Sequence, residues 1–130
     1  MSPHETCVAA INAYKLWPCD RIVAEANNGG DWIELGLRQL DRNVAYTKLH
    51  ASHGKQARAE PVAALYEQRR VHHVGFFPEA EDELCTWETN TGMASPNRLD
   101  AIVWAVTELM LKDRGIELLH VRAWPKAMFP

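Results

Sequence analysis

No apolar run in this 130-residue chain approaches the roughly 20 residues that a membrane-spanning helix needs. Its start, MSPHETCVAA, lacks the basic end and long apolar stretch of a signal peptide, so a soluble, intracellular protein is expected. Nothing reads G-x-x-x-x-G-K-S/T, which excludes a P-loop phosphate cradle. Cysteine is scarce. Cys7, Cys19 and Cys85 form neither a C-x-x-C pair nor a zinc knuckle, and their odd number predicts small, mostly buried thiols rather than a disulfide framework. There is no Ser-His-Asp pattern, and Cys85 has no evident base beside it in sequence. Repeats, low-complexity tracts and linkers are absent too.

What remains is a globular composition, 47% hydrophobic and 24% charged, in a length that suggests one domain able to bury a real core. The net charge of -3 hides an asymmetry. Residues 38–73 hold seven Lys/Arg against three Asp/Glu, a net +4, with four of the six His. Residues 74–100 hold six acids against one Arg, a net -5. Two solvated faces of an ordinary domain account for this, and composition alone favours that reading. A phosphate-binding surface beside a metal-binding pocket would produce the same pattern.

The elements alternate in type. Val8, Ile11 and Leu16 predict a helix over 4–16 that Pro18 ends, and 21–25 is a short apolar run ending in an acid, a buried strand. Ile33, Leu37 and Leu40 predict a helix over 31–41 with one inner stripe. Residues 45–49 are a second strand. Glu60-Pro61 marks a helix start, followed by inward Val62, Leu65 and Tyr66. Residues 71–77 are a third strand and 79–87 a short acidic helix. Ser95-Pro96 caps a last helix with Leu99, Ile102, Val103, Val106 and Met110 on its inner face, ending near Arg114-Gly115. The tail, IELLHVRAW, is a further strand or a docked extension. Such alternation implies an α/β sandwich with a mainly parallel sheet, whose ligand site lies beyond the carboxyl ends of the strands.

Glu25 stands at such an end, followed by Asn27-Asn28-Gly29-Gly30. Asn and Gly suit a tight turn, and a plain strand-to-helix turn accounts for them. It does not call for an acid at position 25, which needs solvent, a partner or a cation. Asp100, between Leu99 and Ala101 in an apolar helix, raises the same question, with an ordinary surface Asp as the simple answer. Converging, the two acids would make a hard oxygen site for Mg²⁺ or Mn²⁺. His72 and His73, as strand neighbours, point to opposite faces and do not share an ion; they are expected as a solvated pair. His50 and His53 either flank phosphate or lie in a plain polar loop. Trp104 is expected in the core, and Trp32 over the glycine turn.

Four blocks, IVAEANNGGDWIE, KQARAEPVAALYEQRRVHHVG, FPEAEDELCTW and SPNRLDAIVWAVTEL, together resemble the nuclease domain of phage terminase large subunits, in order and spacing over residues 20–110. The opening SPHETCVAAINAYKLW resembles the helix before that family's Glu-bearing strand. The resemblance implies a ribonuclease H-like fold and a site of three acids and two divalent metals, Mg²⁺ or Mn²⁺, that cuts double-stranded DNA during packaging. Glu25 matches the second acid, in E-x-N-x-G-G, and Asp100 the third, in S-P-x-x-L-D-A. Lys55 and Arg58 match positions that meet the DNA backbone. Asp82 falls in an acidic stretch and is not taken as a ligand. The first acid lies, in the family, on an opening three-stranded meander that has no counterpart here, and the packaging ATPase is absent as well.

The expected protein is therefore a truncated, single partial ribonuclease H-like domain over 1–130, of phage or prophage origin in a bacterial cytoplasm, descended from a metal-dependent endonuclease. The alternatives are a catalytically silent prophage-derived oligomerising or DNA-binding module, and a fragment completed by a separate amino-terminal polypeptide. An open sheet edge predicts a partner, most simply a second copy.

Overall fold

Ser2 opens the first helix with a reciprocal cap: its hydroxyl accepts from the Glu5 backbone N–H at 3.3 Å, and the Glu5 carboxylate accepts from the Ser2 N–H at 2.6 Å. The computed structural model describes residues 2–26, 31–88 and 96–112. Helix α1 spans Pro3–Leu16, strand β1 Ile22–Glu25, helix α2 Trp32–Leu40 and strand β2 Tyr46–Leu49. Helix α3 covers Lys55–Glu67, α4 Pro78–Thr86 and α5 Asn97–Val106, which widens into a π-helical turn over Thr107–Leu111. Among the described residues no helix is long and apolar enough to cross a membrane.

The two strands are parallel, with Ile22 opposite Tyr46 and Glu25 opposite Leu49. A parallel pair needs a crossover, and α2 supplies it. Side chains alternate across the pair. Ile22 and Tyr46 pack with Cys7, Ile11, Leu37 and Val44, the core shared with α1 and α2. Glu25 points the other way, toward α3 and α5, whose own core is Val62, Leu65, Leu99, Val103 and Val106. Helices therefore cover both faces of the pair, as a parallel sheet requires.

The expected mixed α/β architecture is present, with differences in detail. The inner stripe of α1 is Cys7 and Ile11, one turn apart, while Leu16 is exposed; Leu40 of α2 and Met110 are exposed as well. Helix α3 starts at Lys55, not at Glu60-Pro61, because Gly54 is its amino-terminal cap. Pro61 lies inside it on the exposed side, where solvent reaches the Ala57 carbonyl left without an N–H partner. Residues 71–77 are not a strand. Arg69 (φ 56°), before the segment, and Gly75 (φ 116°), within it, have positive φ and break extension. His73 is drawn instead between the Tyr66 hydroxyl at 2.8 Å and the Glu81 carboxylate at 2.9 Å and is half-buried, not one of a solvated pair, while exposed His72 turns to the Arg69 carbonyl. Of the cysteines only Cys7 is buried; Cys19 and Cys85 are exposed. Ser95, the glycine turn and the tail from 113 onward lie outside the described residues.

The start of α5 is capped from a distance. Glu83 of α4 accepts from the backbone N–H groups of Arg98 at 3.0 Å and Leu99 at 3.1 Å, and from the Arg98 guanidinium at 2.9 Å. A carboxylate suits the positive end of a helix. Desolvation raises the Glu83 carboxyl, but the Arg98 side chain and the two N–H donors outweigh it and hold it below the usual carboxylate range.

Two outcomes are expected. In urea and thermal melts, Glu83→Gln lowers stability at neutral pH. Because the folded carboxyl is depressed, the wild-type advantage is full above the ordinary Glu value of about 4.3 and is lost as pH falls through the lower folded value. Gly36→Ala places a Cβ 2.7 Å from the Cys7 sulfur, where α1 and α2 touch. Overpacking of about 1–3 kcal/mol exceeds the ~1 kcal/mol gained in helix propensity, so the melting temperature falls, and adding Cys7→Ala makes the loss smaller than the sum of the single changes.

Candidate active site

Glu25 ends β1 on the face covered by α3 and α5. Its carboxylate accepts from the Trp104 indole N–H at 3.0 Å, and the Arg58 guanidinium lies 3.7 Å away. The same guanidinium stacks on the Trp104 ring, 4.4 Å from its centre. Asp100 precedes Trp104 by four residues, one turn of α5, so both project from one side of the helix. Its carboxylate accepts from Lys55 at 2.8 Å. Lys55 and Arg58 stand three apart on the first turn of α3 and also share a face. Three elements thus supply two acid–base pairs, Glu25 with Arg58 and Asp100 with Lys55, and Trp104 touches both members of the first.

The pairs differ in strength. Lys55 is about half exposed, so its pair with Asp100 is a screened surface contact. The Arg58 side chain is 10% exposed, yet its Nε and Nη1 make no hydrogen bond. Desolvated donors of this kind are costly. The Glu25 charge at 3.7 Å and the Trp104 face hold the guanidinium.

The donors suit a hard divalent ion, since two carboxylates offer oxygen and neither sulfur nor imidazole intrudes. Each carboxylate already faces a cation, so the four side chains sum to zero charge, and among the described residues no cluster of three His, Cys, Asp or Glu forms. A divalent ion at these oxygens would have to compete with Lys55 and Arg58 for them. Asp82 is exposed on α4, and His50 and His53 are exposed before α3. Trp104 is not in the core as expected; it is half-buried and serves the site. Its place four residues after Asp100 was the signal in the sequence. A cavity of about 470 Å³ between α3, α4 and α5, lined by Val62, Tyr66, Leu84 and Trp87, touches none of the four charged residues.

Fold and site define a mixed α/β domain with an acid and base cluster at the carboxyl end of a parallel strand. The family model of the terminase RNaseH-like domain matches residues 1–109. The chain belongs to that family, the nuclease region of terminase large subunits. No curated protein and no solved structure matches it.

Replacing Trp104 with Phe removes the indole donor and costs about 1 kcal/mol, because water still reaches Glu25. Glu25→Ala costs more, about 1–3 kcal/mol, since it leaves the desolvated Arg58 donors without their counter-charge. Urea midpoints of the two variants and their double read the ordering directly.

Proposed function

We propose that this chain is a DNA-cutting domain of a phage packaging apparatus, a single partial ribonuclease H-like domain that hydrolyses phosphodiester bonds with Mg²⁺ or Mn²⁺. Two acid–base pairs carried by β1, α3 and α5, Glu25 with Arg58 and Asp100 with Lys55, are the observation that supports the reading. Glu25 and Asp100 hold the cation, with the Trp104 indole fixing the carboxylate of Glu25. When bound, such an ion activates water and stabilises the leaving oxygen. Lys55 and Arg58 take the phosphate oxygens of double-stranded DNA, the guanidinium kept in place by the indole ring beneath it.

A second reading has its own support. With the four charges cancelling and no third acid among the described residues, a catalytically silent, DNA-binding module of prophage origin is chemically coherent. Incubating plasmid with the chain and Mn²⁺, beside Glu25→Ala, separates the two. Cleavage that the substitution abolishes is the expected outcome. DNA retardation without cleavage selects the second reading. In either case Lys55→Gln lowers the slope of log affinity against log salt by about 1, because one phosphate contact is lost.

A partner also belongs to this proposal. The β1–β2 pair is two strands wide among the described residues, and an open strand edge pairs readily with another chain. This supports a second copy as the simplest partner, with a complementing amino-terminal fragment as the other candidate. Light scattering is expected to give a dimer mass; a clean monomer counts against the second copy.

A further inference from the structure

Arg58 and Lys55 stand where two incompatible tasks meet. Each lies on one of the two carboxylates that would take a cation, and each is also a base that would take phosphate. A guanidinium 3.7 Å from Glu25 repels a divalent ion at that carboxylate, as Lys55 does at Asp100. The hold on Arg58 is also incomplete. Its Nε and Nη1 are buried without a hydrogen-bond partner, so a guanidinium that swings out to a phosphodiester gains short charge-assisted bonds that Glu25 does not give it. Lys55, about half exposed one turn earlier on the same face of α3, presents its charge to such an anion first.

We propose that Arg58 and Lys55 are internal counter-ions that keep Glu25 and Asp100 closed to divalent cations until a phosphodiester draws them off, so that DNA and cation bind with positive coupling. This rests on the site assignment made above and adds its regulation: the protein alone is a poor cation binder, and its substrate completes the site. Linkage makes the coupling reciprocal, so the cation strengthens DNA binding by the same factor.

The test is a Mn²⁺ titration of the full chain, following the free ion by electron paramagnetic resonance, with and without a short DNA duplex. A Glu25→Gln chain with the same duplex corrects for ion held by DNA itself. The duplex is expected to tighten Mn²⁺ binding by about 5- to 150-fold. Without DNA, Arg58→Gln and Lys55→Gln should each bind Mn²⁺ several-fold tighter than wild type and gain less from the duplex. Lys55 is exposed enough to be replaced without disturbing the fold, which keeps the test open should Arg58→Gln unfold. If neither variant binds more tightly, or the duplex leaves wild-type affinity unchanged, the coupling is overturned. Binding that Glu25→Gln still abolishes would then leave the metal site standing alone; if no chain binds Mn²⁺ at Glu25 under any condition, both fall.

Discussion

A carboxylate at the end of a short apolar strand has to be answered by something, and here the answer comes from two helices at once. The Trp104 indole donates to Glu25 from α5, and Arg58 reaches it from α3 while lying on the same indole. Burial against a sheet is non-directional and would tolerate a range of helix placements. A hydrogen bond, an ion pair and a stacked guanidinium converging on one group are directional. They set where α3 and α5 stand against β1, and hence where Lys55 and Asp100 meet.

Further polar anchors continue this pattern. Glu108, buried in the π-helical turn, is flanked by Arg21 at 3.7 Å and Lys112 at 2.8 Å, which ties the end of the long helix to the approach of β1. Glu83 caps the other end of that helix from α4. On the opposite face of the strand pair, Lys48 of β2 binds Asp31 at the start of α2, and that bond holds the Asp31 carboxyl below its usual range. Strands four residues long bury little, so charged side chains carry much of the orientation that a larger sheet would supply by packing.

Much of the fold was legible in the order of residues, because its signals are local. A short apolar run ending in an acid read correctly as a strand, and 3.6-residue spacing found the helices. The errors have local causes as well. Pro61 suggested a helix start, but an exposed proline is tolerated inside a helix when its face meets water. Residues 71–77 carry strand-forming side chains, yet two positions of positive φ and the pull of Tyr66 and Glu81 on His73 decide otherwise. Trp104 looked like core because apolar neighbours surround it in sequence; its N–H turns it toward the strand end instead.

The order of residues determined on its own that acids sit at a strand end and on an apolar helix, that two bases lie between them along the chain, and which family the chain resembles. These follow from residue type and from spacing along one element. Only the tertiary structure decided that each acid faces its own cation and that the indole meets both Glu25 and Arg58. Such pairings span 33 to 79 positions of chain, as the contacts of Arg58 and Trp104 with Glu25 show, and no local period encodes them. They arise because a desolvated charge takes whatever complementary group the packing of distant elements brings within reach.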